Sequence, residues 1–171
     1  MNKRVRNIVQ SGLLLALAVV LPIVFHQFQL QGRIFLPMHL PVLLAGLLIG
    51  PFSGLLVGIL APPLSFLLTG MPPPYAVPMM ALELPLYGLS IGIIANKLKW
   101  HPLPALIIAL IVGRIGFAAG FYAVGLFLAL PYSPKTWLYA SAITGLPGII
   151  IQLVAIPLLL PSLKKVFPKS G

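Results

Sequence analysis

The stretch LPMHLPVLLAGLLIGPFSGLLVGILAPPLSFLL, residues 36 to 68, decides the fold class of this chain. As a single helix it would be about 48 Å long, because an α-helix rises about 1.5 Å per residue. The hydrocarbon core of a bilayer is about 30 Å thick and needs roughly 20 residues to cross. Gly50-Pro51, at the midpoint, is a stop signal for a helix. We therefore expect two helices joined by a tight turn, with Pro62-Pro63 kinking the second.

The rest of the chain has the same apolar character. Of its 171 residues, 60% are hydrophobic and 7% are charged, against roughly 25% charged residues in a soluble domain. Apolar runs continue to residue 163, so the first run is expected to be a retained helix rather than a signal peptide. The absence of cysteine excludes disulfides, thiolate metal sites and thiol nucleophiles. This composition predicts an integral membrane protein.

The pattern predicts one all-α transmembrane domain over residues 1 to 171. Polar or proline-rich segments separate its helices. In the linker TGMPPPYAVP, residues 69 to 78, four prolines prevent a continuous helix. The six expected helices cover residues 7–25, 36–50, 52–68, 79–96, 103–130 and 137–163.

The basic residues are placed unevenly along the chain. The formal charge of +10 would suggest nucleic acid in a soluble protein, whereas in a membrane protein Lys and Arg mark the cytoplasmic side. With six helices, the outer loops hold only Arg33 and Lys135. The inner segments hold Lys3, Arg4, Arg6, Lys97, Lys99, Lys164, Lys165 and Lys169. We expect cytoplasmic N- and C-termini and no nucleic-acid partner.

Small residues recur at helical spacing. Glycines 46, 50, 54 and 58 follow one another every four residues, and Gly12 and Ala16 have the same spacing on the first helix. This pattern is typical of close contacts between transmembrane helices. Either set serves packing inside the bundle or contact with a partner subunit, and the sequence leaves both interpretations open.

Two charged residues fall at bilayer depth, where charges are costly and usually face a cavity or each other. Glu83, the only acid in the chain, is on the fourth helix, and Arg114 is on the fifth. Antiparallel helices would let them meet roughly 10 Å below the outer face. One interpretation is a structural pair. The other is that they contact a substrate, with Arg114 binding a carboxylate and Glu83 accepting hydrogen bonds. The two roles are compatible.

Further polar and aromatic residues are candidates for a ligand pocket. His39, at the outer start of the second helix, is either an interfacial anchor or a hydrogen-bonding group at the pocket mouth. His26 and His39 alone do not predict a metal site. Aromatic residues toward the outer side belong to an interfacial belt or line a pocket. The full candidate set is Phe35, His39, Tyr75, Glu83, Tyr87, Arg114, Tyr122, Trp137 and Gln152.

Few enzyme classes remain open to this chain. One acid supplies no carboxylate pair, no Asp-rich magnesium motif and no complete nucleophile relay. The chain also lacks the GxxxxGK[ST] motif, so ATP hydrolysis would have to come from partners. The alternatives are a stand-alone secondary carrier, against which the absence of an evident inverted repeat counts, and a small membrane enzyme using His39 and Glu83.

Two stretches carry a family resemblance: FLPMHLPVLLAGLLIGPFSGLLVGILAPPLSFLLTGMPP, residues 35 to 73, and PMMALELPLYGLSIGI, residues 78 to 93. They resemble the substrate-binding S components of energy-coupling factor (ECF) vitamin transporters. The resemblance implies a six-helix plasma-membrane protein that binds a vitamin or precursor and docks on a membrane coupling subunit driven by two ATPases. It implies no cofactor and no resident metal.

The resemblance also assigns roles to particular segments. Gly12 and Ala16 correspond to the small-residue face that meets the coupling subunit, with glycine at one position of the family's usual Ala-xxx-Ala. His26 to Ile34 correspond to a lid, and the whole subunit is implied to topple in the membrane to release its ligand. Arg114 and His39 favour a carboxylate such as pantothenate, while Glu83 and the aromatics would equally suit a pyrimidine, a flavin or a corrinoid precursor.

Overall fold

The computed structural model describes residues 2–27, 32–128, 143 and 145–167. Over this part of the chain every regular element is a helix. The helices are α1 Lys3–Gln27, α2 Gly32–Phe35, α3 His39–Ile49, α4 Pro51–Thr69, α5 Ala76–Lys97, α6 Pro102–Leu128 and α7 Leu146–Val166. The last turns of α3 and α5, Ala45–Ile49 and Ile93–Lys97, are π-helical.

Five of the helices, α1, α4, α5, α6 and α7, are long and apolar enough to cross a membrane. Helix α3 is apolar but shorter: it starts at His39 rather than near residue 36, and its length of about 16 Å is less than the hydrocarbon core. The reason is local. Leu36 has a left-handed backbone conformation, with φ of 49°, so no continuous helix passes through it.

The chain reverses direction at Gly50-Pro51. Gly50 has φ of 146°, a conformation that side-chain-bearing residues rarely adopt. Pro51 occupies the first turn of α4, where its missing N–H is not needed. The glycine therefore ends α3 and the proline begins α4.

The proline-rich part of the chain after Gly50 is non-helical only between Gly70 and Tyr75. Helix α4 continues from Pro51 to Thr69 with Pro62 and Pro63 inside it. It ends at Gly70, whose φ of 72° is left-handed and whose N–H donates to the Phe66 carbonyl at 2.8 Å. Helix α5 then begins at Ala76, so the linker is shorter than the expected residues 69 to 78.

Helices α3, α4 and α5 approach one another backbone to backbone through glycines. A Cβ on Gly54 would lie 2.6 Å from the Gly88 carbonyl carbon, and one on Gly58 would lie 2.5 Å from the Pro85 nitrogen. A Cβ on Gly46 would collide with the Gly88 carbonyl oxygen. Three of the four regularly spaced glycines therefore serve packing inside the bundle, whereas Gly50 serves the turn.

Helix α6 packs antiparallel to α5. Gly113 faces the ring of Tyr87, and seven residues later Gly120 faces Leu82 and Met79, earlier on α5. At the other side of the bundle, a Cβ on Gly148 of α7 would lie 2.7 Å from the Ile34 carbonyl oxygen. These contacts fix the position of each helix along the axis of its neighbour. They also bring together the polar side chains described below as the candidate site.

Candidate functional site

The carboxylate of Glu83 is the centre of a buried polar cluster. Only 2% of the residue is exposed. The hydroxyl of Tyr87 donates a hydrogen bond to Glu83 Oε1 at 2.8 Å, and Arg114 Nη1 lies 3.3 Å from the same oxygen. His39 Nε2 lies 3.6 Å from Glu83 Oε2. We call these four residues the Glu83 cluster.

Three elements place these side chains. Glu83 and Tyr87 are one turn apart on α5, so their side chains lie on the same face. Gly113 leaves room for the Tyr87 ring, and Arg114 follows it directly on α6. His39 is the first residue of α3, and its ring lies 5.3 Å from the Tyr87 ring, measured between centroids.

Glu83 and Arg114 carry opposite charges that compensate each other. A buried carboxylate without a partner would be strongly unfavourable in a membrane protein, and Arg114 supplies the opposite charge. Since Glu83 is the only acidic side chain in the sequence, no other side chain can neutralise Arg114. The expected meeting of Glu83 and Arg114 is thus present as an ion pair. Whether the pair also contacts a ligand is a separate question.

Several buried polar atoms have no hydrogen-bond partner among the described residues. They are both ring nitrogens of His39, Nε and Nη2 of Arg114, the side-chain amide of Gln152 and the hydroxyl of Ser65. Buried polar groups in native proteins are nearly always hydrogen-bonded, and those that are not call for an explanation. Arg114 and His39 thus belong to the Glu83 cluster and still have hydrogen-bonding capacity to spare.

Gln152 lies in the bundle interior, on the face of α7 that packs against the segment preceding α3. Only 1% of the residue is exposed, and it shares a buried stripe on α7 with Gly148, Ile156 and Leu160. Gly148 packs against the segment that ends at Leu36, with the Leu36 Cγ 2.9 Å from a Cβ built on it. Gln152 is one helical turn further along α7, and His39 is one hydrogen-bonded turn beyond Leu36.

Of the other predicted site residues, Phe35, Tyr75 and Tyr122 lie in the described part of the chain. The ring of Phe35 packs against that of Phe25 on α1, with centroids 5.7 Å apart and planes inclined at 52°. Tyr75 and Tyr122 are 36% and 60% exposed, about two turns along the chain from Glu83 and Arg114 respectively. Trp137 lies outside the described residues. The pocket role of these four residues therefore stays a prediction.

Ser65 is a buried polar residue that the sequence did not single out. It is fully buried on α4, and its hydroxyl has no partner among the described residues. Its position on the buried stripe that includes Gly54, Gly58 and Ala61 is the signal that could have identified it. No group of three or more His, Asp or Glu residues that could hold a metal occurs in the described part of the chain.

Gly12 and Ala16, the expected contact with a coupling subunit, are both exposed on α1. A Cβ built on Gly12 would have no heavy atom within 4 Å. Within the described structure, this pair of small residues therefore differs from the glycines of α3 and α4, because it does not pack against another helix of the chain.

Comparison with known proteins places these observations in a family. The family model described as "ECF transporter, substrate-specific component" matches residues 6–160. No curated protein and no solved structure matches the chain. The family match and the five apolar helices make this a multi-pass protein of the plasma membrane. Because the match covers nearly the whole sequence, the chain belongs to the substrate-specific components of ECF transporters.

Proposed function

We propose that this chain captures a small vitamin or vitamin precursor from outside the cell and delivers it to a membrane coupling subunit driven by a pair of ATPases. The observation that supports this function best is the Glu83 cluster, which joins α3, α5 and α6. Ionisable groups inside a membrane bundle are costly and usually mark the path or the site of a substrate.

The composition of the cluster suits a small polar molecule. Ligand sites are mostly apolar, with a few convergent polar groups that orient the ligand. Here, apolar helices surround one carboxylate, one guanidinium, one imidazole and one phenol. The unpartnered atoms of His39, Arg114 and Gln152 supply the hydrogen bonds that such a ligand would complete.

The proposed orientation places both termini in the cytoplasm and the ligand site in the outer half of the bundle. Basic residues occur at the start of α1, at the end of α5 and in the last turn of α7. With α3 counted as a sixth crossing, successive spans alternate in direction and these three ends fall on one side of the membrane in the proposed topology. The positive-inside tendency assigns that side to the cytoplasm.

The proposed partners supply the energy. The sequence has no phosphate-binding loop for ATP and no constellation of catalytic residues, so we assign it a transport role and no enzymatic one. Gly12 and Ala16 are the proposed contact with the coupling subunit, because they leave a small-residue surface open on α1.

The decisive experiment is mass spectrometry of small molecules released from the gently purified, full-length protein. We expect a vitamin or vitamin precursor in roughly equal molar amount to the protein. If nothing is released, and no member of a vitamin panel binds the purified protein in calorimetric titration, the capture function is wrong. The stand-alone carrier and the membrane enzyme would then become the working hypotheses.

A further inference from the structure

We propose that the captured molecule is a monocarboxylate whose carboxylate binds the Nε and Nη2 edge of Arg114, while His39 and Gln152 bind its uncharged polar groups. This inference rests on the proposed capture function and specifies the chemical class of its substrate. It depends on which atoms of the Glu83 cluster are already in use.

The guanidinium of Arg114 is engaged on one side only. Its Nη1 contacts Glu83 at 3.3 Å, whereas Nε and Nη2 are covered by protein and have no partner among the described residues. Nε–H and one N–H of Nη2 point in the same direction and form a planar fork that matches the two oxygens of a carboxylate. Although 21% of the Arg114 side chain is exposed, these two nitrogens are not, so the fork points into the bundle.

The fork is held in place before a ligand arrives. Glu83 fixes the guanidinium through Nη1, and Tyr87 fixes Glu83 through its hydroxyl. The Tyr87 ring is itself confined against Gly113. A prearranged fork loses little conformational freedom on binding, which favours affinity for a planar, bidentate group.

The charge of the cluster selects among anions. Glu83 already compensates the single positive charge of Arg114, so every added negative charge must be held in a region of low dielectric constant. A monoanion adds one such charge, and the unpartnered Nε and Nη2 of Arg114 can donate to it. A phosphate monoester would add up to two charges, which is more costly to hold there. A monocarboxylate is therefore favoured.

The remaining groups select uncharged polar functions. Gln152, one turn from the contact between Gly148 and Leu36, offers both a donor and an acceptor, and neither atom has a partner among the described residues. Such a side chain is complementary to an amide or a hydroxyl group. The expected ligand thus carries a carboxylate at the Arg114 end and an amide or hydroxyl toward α7.

The first test uses the unmodified protein and matched pairs of probes. Pantothenate with panthenol, biotin with biotin amide, and nicotinate with nicotinamide differ in whether a carboxylate is present. In the pair that binds, we expect the carboxylate form to bind about 10- to 150-fold more tightly than its neutral counterpart, the range for a hydrogen bond to a charged group. The same difference is expected between any molecule released on purification and its neutral analogue.

The second test is Arg114→Lys, which keeps the charge and removes the planar fork. We expect a loss of tenfold or more in affinity for the carboxylate probe and little change for its neutral counterpart. The control Arg6→Lys, at the start of α1, should bind both probes like the unmodified protein. If Arg114→Lys does not fold, the matched pairs of probes alone test the monocarboxylate inference.

The outcomes separate this inference from the capture function. A bound molecule that is neutral, cationic or a phosphate monoester would overturn the monocarboxylate and leave capture intact. Unchanged affinity for the carboxylate probe in a folded Arg114→Lys protein would also overturn the monocarboxylate inference and leave the capture function intact. A protein that releases nothing and binds none of the probes would overturn both proposals.

Discussion

Gly113 on α6 faces the ring of Tyr87 on α5 so closely that a Cβ at residue 113 would overlap the ring carbons. The hydroxyl at the far end of that ring donates to Glu83, and the residue after Gly113 is Arg114, which pairs with the same carboxylate. One missing side chain therefore sets the distance between the two helices at the point where the Glu83 cluster forms.

Replacing Gly113 by alanine should disturb the cluster through the Tyr87 ring. The added methyl group must displace the ring, and such overpacking typically destabilises a protein by about 1–3 kcal/mol. We expect a lower unfolding midpoint in a denaturant titration of the detergent-solubilised protein. Gly12→Ala is the matched control, because the space around Gly12 is open and its midpoint should not fall. Equal midpoints for both variants would contradict this packing.

Tyr87→Phe isolates the hydrogen bond to Glu83. Phenylalanine fits the space beside Gly113 but leaves the carboxylate without one of its donors. A hydrogen bond to a charged group contributes about 1.5–3 kcal/mol, so the free energy of unfolding should fall by about that amount. The exposed Tyr122 provides the comparison, since Tyr122→Phe should change the free energy by less than about 0.5 kcal/mol. A Tyr87→Phe protein as stable as Tyr122→Phe would disprove the role of the hydroxyl.

Hydropathy and spacing predict most of the fold. Long apolar runs specify membrane helices because lipid leaves no other partner for the backbone, and Gly50-Pro51 specifies a turn because only glycine tolerates φ of 146° there. The short length of α3 was not predicted, since nothing in the sequence reveals the left-handed conformation of Leu36. The early start of α5 was missed because Pro78, the one proline in its first turn, does not oppose a helix there.

The site was predictable to a lesser degree. Counting residues from the helix ends places Glu83 and Arg114 at similar depths, and the structure brings them within 3.3 Å. The spacing of four between Glu83 and Tyr87 would also have predicted their hydrogen bond. His39 lies 3.6 Å from Glu83, a contact between α3 and α5 that the sequence alone does not show. Ser65 was missed although its spacing from Gly54, Gly58 and Ala61 places it on the same buried face of α4, because a serine in a helix often satisfies its hydroxyl locally.

Gly54→Ala tests the contact between α4 and α5. The atoms nearest to a new Cβ belong to the Gly88 backbone, which cannot rotate away as a side chain can. The helices must separate, so we expect a larger loss of stability than for Gly113→Ala and a marked fall in the folded fraction on size-exclusion chromatography. Gly12→Ala again provides the control in an open position. A Gly54→Ala protein that folds with normal yield would show that the two backbones are further apart.

The ion pair can be measured by a double-mutant cycle with Glu83→Gln, Arg114→Gln and the double variant. Arg114→Gln leaves the buried charge of Glu83 without its partner, which should cost about 3–5 kcal/mol of unfolding free energy, and Glu83→Gln, which leaves the partly exposed Arg114, should cost less. The double variant removes both charges and should recover part of that loss, because residues in contact are coupled by about 0.5–3 kcal/mol. Strictly additive losses would mean that the two side chains do not interact.

Gly12 and Ala16 test the proposed coupling surface without touching the ligand site. Both are exposed on α1, so Gly12→Leu and Ala16→Leu should leave stability and ligand binding unchanged. Close approach of a partner helix needs small residues, so co-purification with the coupling subunit and its ATPases should be lost. Ala119→Leu, an exposed alanine on α6, is the matched control and should retain the partners. If Ala119→Leu abolishes assembly while the α1 variants assemble normally, the coupling surface includes α6 instead of this face of α1.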